Sequence, residues 1–154
     1  MSVVAVGRPG RLLEPPIAEY ERRAARYWKL HVETVKAETA SRNRPVKEVL
    51  RAEADRLRAA APDGQELVAL TRRGRAWSSE ELAGYLQDLA LRGMAGATFI
   101  VGGAGGIADE LLEECRHRLS LSAMTMPHDL ARLVLAEQLY RAGTILRGEP
   151  YHKG

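Results

Sequence analysis

Apolar positions along this chain switch between a continuous or alternating pattern and a helical one, and the switches mark its elements. Ser2 to Val6 is an apolar run of strand length, closed by Gly7-Arg8-Pro9-Gly10, residues that punctuate turns. A helix is predicted next: Pro15 or Pro16 suits a first turn, and Ile17, Tyr20, Ala24 and Tyr27 recur at helical spacing down to Trp28. Leu30 to Val35 alternates as a strand, and Lys36 to Arg44 is polar and basic without apolar period, hence a loop. The helix Pro45 to Ala60 follows, with Val46, Val49, Leu50 and Leu57 as its inner stripe, and Pro62-Asp63-Gly64 turns the chain into the strand Leu67 to Leu70. Thr71-Arg72-Arg73-Gly74-Arg75 reads as a basic loop at that strand's C-terminal end. Ser78 and Glu81 fit a capping box that opens a helix to Arg92. Thr98 to Val101, β-branched and aromatic, is the clearest strand. Gly102-Gly103-Ala104-Gly105-Gly106 leads from it into a helix near Ile107, and Leu119 to Ser122 reads as one more short strand. Met126-Pro127 breaks the chain before a last helix from about Asp129 to Leu146, with Leu130, Val134, Leu139 and Ala142 among its apolar positions, and then a tail to Gly154.

Strands alternating with helices predict an α/β fold: a mostly parallel sheet with helices on both faces and ligand sites at the C-terminal strand ends. Those ends are three loops, Thr71 to Arg75, Gly102 to Gly106 and Ala123 to Pro127. The 154 residues suit one domain, 1–154. At 45% hydrophobic residues, with apolar stretches such as Ala97 to Val101 far short of a bilayer of about 30 Å, no membrane segment is expected. The first residues lack the basic region and apolar core of a signal peptide, so export is not expected. Cys115 is the one cysteine, which excludes an intrachain disulfide and a thiolate zinc site and suits a reducing cytoplasm. Lys and Arg number 23 against 20 Asp and Glu, a net charge of +3. That excess mildly favours an anionic partner such as RNA and is too small to separate RNA binding from an ordinary solvated surface.

The glycine cluster after Val101 is the most informative local feature, because a run without side chains lets backbone approach a ligand. Its plainer reading is a tight strand-to-helix turn. Gly103 to Ala108 satisfies the dinucleotide pattern G-x-G-x-x-G/A, but that pattern belongs after a unit's first strand with an acid ending the next, and here the next strand ends in Ser122-Ala123-Met124. Leu119 to His128 mixes small, apolar and hydroxyl residues, which suits a slot for a flat adenine and equally suits a core strand and turn. His31, His117 and His128 have no histidine partner at helical spacing, so no metal site is expected. Cys115 and His117, taken as sharing a helix, point apart, and Cys115 reads as a packed, inert thiol. In the tail, Tyr151 could stack on a base, His152 could move a proton and Lys153 could meet phosphate, although chain ends commonly fray. Arg22, Arg23, Arg26, Arg72, Arg73, Arg75, Arg132 and Arg141 form a phosphate-facing surface only if folding brings them together.

The assembled residues resemble the RlmH family of SPOUT methyltransferases from end to end. The resemblance rests on Val4-Ala5-Val6-Gly7, Glu19-Tyr20, Gly102-Gly103, Leu119-Ser120-Leu121-Ser122, Met126-Pro127-His128, Ala136 to Ala142 and Pro150-Tyr151-His152-Lys153, in that order. It implies a C-terminal trefoil knot that binds S-adenosyl-L-methionine, a homodimer with sites at the subunit interface, and methylation of N3 of a pseudouridine in 23S ribosomal RNA on the assembled ribosome. Carried over by position, Leu70, Gly102, Leu121, Ser122, Ala123, Met124, Thr125 and Met126 are expected to bind the cofactor. His152 would assist proton removal, Tyr151 would position the base, and Arg141 with Lys153 would hold phosphate or developing negative charge. Ala104-Gly105 stand where many relatives have Pro-Glu, which removes a carboxylate near the cofactor. Two rival readings remain: a non-catalytic ribosome-binding or RNA-binding protein of the same fold, and a nucleotide-binding oxidoreductase using the glycine loop.

Overall fold

Five short runs pair side by side into one all-parallel sheet in the computed structural model, which describes residues 1–42 and 44–153 without the side chains of 152 and 153. The elements in chain order are β1 (Ser2–Val6), α1 (Glu14–Ala24), β2 (His31–Val35), α2 (Val46–Ala60), β3 (Glu66–Ala76), α3 (Ser79–Leu91), β4 (Ala97–Val101), α4 (Asp109–Glu114), β5 (His117–Ser120) and α5 (His128–Leu146), then a 3-10 turn over Pro150–Lys153. The strand order is β2-β1-β4-β3-β5. Successive strand residues face opposite sides of a sheet, so a strand covered on both sides must be apolar throughout. Accordingly Val3 and Ala5 of β1, with Val68, Phe99 and Val101, pack against α1, α3 and α5, while Val4, Val6 and Ile100 meet Ala54 and Leu57 of α2 and Leu111 of α4. Helices therefore cover both faces, as the alternation predicts.

Four readings of the sequence are corrected. The basic segment after Leu70 is not a loop: β3 runs on to Ala76. Leu70 and Arg75 both stand opposite Leu119 of β5, so residues 71–74 form a bulge inside a continuing ladder. The arginines look like loop because β3 beyond Leu70 has left β4 and pairs with β5 alone, a local sheet edge where side chains meet solvent. The last strand lies earlier than expected, at His117–Ser120, and Leu121 and Ser122 belong to the loop beyond it. Cys115 caps the end of α4 while His117 opens β5, so they share no helix. Val46 is 56% exposed, and the inner stripe of α2 is Val49, Glu53, Ala54 and Leu57.

The first helix also ends sooner than its apolar spacing suggests. The N–H groups of Tyr27 and Trp28 close back on the carbonyl of Ala24 at 2.9 and 3.1 Å, and the Trp28 indole donates to the Leu139 carbonyl at 2.8 Å. Aromatic residues at the end of the pattern thus tie α1 to α5 rather than lengthen it.

Candidate functional site

The C-terminal ends of the central strands open into a cavity of about 1000 Å³, the upper end of the usual small-ligand range. Its walls come from separate elements: Leu70 and the β3 bulge, the glycine loop after β4, Leu50 of α2, the segment after β5, and His128 and Ala131 at the start of α5. Of the residues expected to bind a cofactor, Leu70, Gly102, Leu121, Ser122, Met124, Thr125 and Met126 all line it, and Ala123 does not.

The glycine loop is built by close approach. A Cβ on Gly102 would stand 2.7 Å from both the Gly106 carbonyl carbon and Ile107 Cγ1. Gly106, at φ 90°, adopts a conformation that side chains resist, and its N–H donates to the Gly103 carbonyl at 3.0 Å. Beneath the loop lies Glu53 of α2, only 4% exposed, whose Oε1 accepts the Glu38 N–H at 2.9 Å and whose Oε2 sits 3.1 Å from where a Gly103 Cβ would be. The opposite wall is a turn held by its own serines: Ser120 Oγ donates to the Ser122 carbonyl at 2.9 Å, and Ser122 Oγ accepts the Met124 N–H at 3.0 Å. The β1–α1 loop abuts the floor, where a Gly7 Cβ would stand 3.7 Å from His128 Nε2.

The expected catalytic residues gather elsewhere. Tyr151 donates its hydroxyl to Glu137 Oε1 at 3.1 Å and stands 3.5 Å from the Tyr20 hydroxyl. Arg141 holds the same Glu137 oxygen at 2.8 and 3.0 Å, with its guanidinium 4.9 Å from the centre of the Tyr151 ring. Burial, the Tyr20 hydroxyl and the Glu137 carboxylate together push the Tyr151 phenol well above its ordinary value. The tail is tethered a second time by Glu149, which accepts the Tyr27 hydroxyl and, through that bond first, pushes the Tyr27 phenol up to about 12. The side chain of His152 lies outside the described residues. Ala131 lines the cavity and Arg141 lies ten residues further along α5, roughly 15 Å at the α-helical rise. Within one chain the two groups are apart.

Folding sorts the arginines. Arg22 and Arg23 pair with Glu19, Arg75 with Glu81, Arg141 with Glu137, and Arg132, nearly buried, with Glu21 at 2.8 Å. Only Arg72 and Arg73 of the expected phosphate-facing set line the cavity. The Cys115 thiol donates to the Leu111 carbonyl at 3.1 Å, and burial pushes it up to about 11. Among the described residues no three His, Cys, Asp or Glu come together as a metal site, and no helix is long and apolar enough to cross a membrane.

Sequence reasoning missed Leu50 and Asp109 in the wall, and Glu53 beneath the loop, whereas His128 ends the segment read as an adenine slot. A signal for Glu53 existed, since it falls at helical spacing between Val49 and Leu57 on the buried stripe. Nothing comparable marked Leu50, whose role depends on α2 crossing under the loop.

A parallel sheet whose strand ends open into a glycine-walled cavity defines an α/β protein built to hold a nucleoside-sized ligand. The family described as "Predicted SPOUT methyltransferase" matches residues 1–152. The ribosomal RNA large subunit methyltransferase H of Gemmatimonas aurantiaca is 43% identical over 154 residues, covering 99% of both chains. Those of Carboxydothermus hydrogenoformans and Acetivibrio thermocellus are 41% and 43% identical over 157 residues, again across 99% of both chains. The chain belongs to the SPOUT methyltransferases and, among them, to the family of ribosomal RNA large subunit methyltransferase H.

Proposed function

We propose that this protein transfers a methyl group from S-adenosyl-L-methionine to N3 of a pseudouridine in 23S ribosomal RNA, on the assembled ribosome, as a cytoplasmic homodimer of single knotted domains. The observation that carries the cofactor reading is the cavity itself. Its apolar walls from Leu50, Ile107 and Leu121 suit a flat base, its glycine loop offers backbone at close range, and the turn held by Ser122 lays further backbone along the wall.

When bound, the cofactor supplies a methyl group already activated by its sulfonium. The chain's own residues must then align N3, exclude water and remove a weakly acidic imide proton. Backbone of the glycine loop and of Leu121 to Met126 would hold the nucleoside, and the apolar wall would keep water out. His152 would take the proton, Tyr151 would position the base, and Arg141 would face phosphate or developing negative charge. Because Arg141 stands ten residues beyond the cavity-lining Ala131, roughly 15 Å by helical rise, the reading has the tail of one copy completing the cavity of a second.

The test is methyl transfer from labelled S-adenosyl-L-methionine to ribosomes lacking the modification, with free 23S RNA and His152→Ala alongside. Label mapping to N3 of one pseudouridine is expected, and loss in the variant with cofactor binding retained supports the tail's role. Cofactor binding and a stable dimer without incorporation would overturn the ribosomal assignment. Ribosome association without cofactor binding would favour the non-catalytic rival, and bound NAD the oxidoreductase.

A further inference from the structure

The bulge in β3 costs the sheet regular pairing, and the fold builds it deliberately. Glu66 to Leu70 pair in register with β4, and Leu70 meets Leu119 of β5; five residues later Arg75 meets Leu119 again and Ala76 meets Ser120. A ladder that resumes on the same partner pins both ends of the segment between. Its return is possible only at a glycine: a Cβ on Gly74 would stand 2.5 Å from the Arg118 carbonyl carbon and 2.7 Å from that of Leu119, both backbone. The tip is also organised, with the Arg73 N–H donating to Thr71 Oγ1 at 3.4 Å.

At this tip stand Arg72 and Arg73, both exposed and both on the wall of the cavity. No carboxylate among the described residues forms an ion pair with either. Arg75, at the base of the bulge, pairs with Glu81, and Asp109, the one acid in the cavity wall, binds neither arginine. Arg26, Arg116 and Arg147 also form no ion pair among the described residues, so what sets Arg72 and Arg73 apart is that two adjacent, unpaired guanidiniums stand on a pinned arm in the wall of the cavity. Each presents a planar fork of donors suited to phosphate oxygens. Two such forks carry more donors than the single carboxylate of a small cofactor can use. They can grip successive phosphates of a strand that passes the mouth of the cavity.

We propose that the Arg72–Arg73 bulge is a phosphate-binding arm that holds the RNA backbone beside the target nucleotide at the mouth of the cofactor cavity. This rests on the RNA-methylation reading above and adds to it the surface that grips the substrate. The arm positions RNA and takes no part in holding the cofactor or moving a proton.

The test compares the full wild-type chain with Arg72→Ala/Arg73→Ala and with Arg72→Lys/Arg73→Lys. Binding to ribosomes lacking the modification is measured across a potassium chloride series at fixed magnesium, and S-adenosyl-L-methionine affinity by calorimetry. Each phosphate contact contributes about 0.7 to 0.9 to the slope of log affinity against log salt, so the alanine pair should lower that slope by roughly 1.5. The lysine pair should keep most of the slope, and both variants should keep the wild-type cofactor affinity. An unchanged slope and ribosome affinity in a folded alanine variant overturns the proposal. A fall in cofactor affinity overturns it too, by assigning the arginines to the cofactor's carboxylate. Wild-type protein that binds cofactor but no ribosome or 23S RNA would defeat the ribosomal reading itself, and the arm with it.

Discussion

Replacing Gly143 by alanine sets two well-measured effects against each other. In the last turn of α5, alanine should be favoured over glycine by up to about 1 kcal/mol from backbone entropy alone. The packing says otherwise. Gly143 is buried where α5 crosses Tyr27, and its new Cβ would lie 2.6 Å from Tyr27 Cβ and 2.8 Å from Cδ1. These atoms are at the root of the ring, so no rotation of the side chain clears them. Tyr27 is also held from several sides: its ring lies 5.7 Å from that of Tyr140, Arg147 covers it at 4.7 Å, and its hydroxyl donates to Glu149. Overpacking of this kind costs about 1 to 3 kcal/mol, and losing the ring's partners puts the site at the upper end, so the net effect should be a destabilisation of about 1 to 2 kcal/mol. Urea unfolding measures this directly, and a domain of this size should lose roughly 2 to 8 °C in Tm. The control is Gly84→Ala within α3, where a Cβ meets nothing within 4 Å. That variant should gain up to about 1 kcal/mol. If both variants are stabilised, the close approach of α1 and α5 is wrong; if both are destabilised, the propensity argument fails. Since Tyr27 anchors Glu149, Gly143→Ala should also weaken methyl transfer more than cofactor binding.

Gly102→Ala should leave the fold intact but weaken S-adenosyl-L-methionine binding by about tenfold or more, about 1.4 kcal/mol, because the new methyl forces the loop away from the Gly106 backbone; wild-type affinity by calorimetry would refute it. His117 packs between Trp77 and Tyr85 at 5.3 and 5.1 Å, and burial lowers its pKa, with Arg116, Arg75 and Arg92 lowering it further against Glu66. A base whose folded pKa lies below its unfolded value adds stability that is full above the unfolded value, near 6.5, and is lost as pH falls through the folded one. Urea unfolding should therefore show wild-type protein losing stability on acidification below that point, with a shallower loss in His117→Gln. Iodoacetamide should label Cys115 slowly at neutral pH until urea unfolds the chain, given a thiol pushed up to about 11, and Cys115→Ser should keep full methyl transfer.

The order of elements was legible because period alone separates strand from helix here: β1 and β4 are apolar runs bounded by glycine, and α5 is too long for a strand. Local chemistry was legible where the partners are close in sequence. The capping box is present as read, with the Glu81 N–H donating to Ser78 Oγ at 3.1 Å and the Ser78 N–H to Glu81 Oε2 at 2.8 Å. The bulge in β3 was not, because it is defined by pairing with β5, more than forty residues on, and an edge-strand arginine and a loop arginine look alike. The partnership of Glu53 with the glycine loop was hidden for the same reason, although a charge on an apolar stripe announces that some burial must be answered.

The placement of the expected catalytic residues bears hardest on how the site must work. His128 and Ala131 line the cavity from the first turn of α5, while Arg141 stands ten residues beyond Ala131 and Tyr151 is held by Glu137 at the midpoint of the helix. A continuous helix is a rigid rod, so motion within one chain cannot bring its two ends together, and its middle is locked to the sheet through the fully buried Leu135 and Leu139. The tail is fastened twice, to Tyr27 just beyond α1 and to Glu137 on this rod. On the homodimer proposed above, Arg141, Tyr151 and the adjoining His152 would act on a base held at the cavity of another copy. The same rigidity that keeps the two regions apart within one chain would then serve alignment, because each tail would be held on a rigid rod when it meets the opposite cavity.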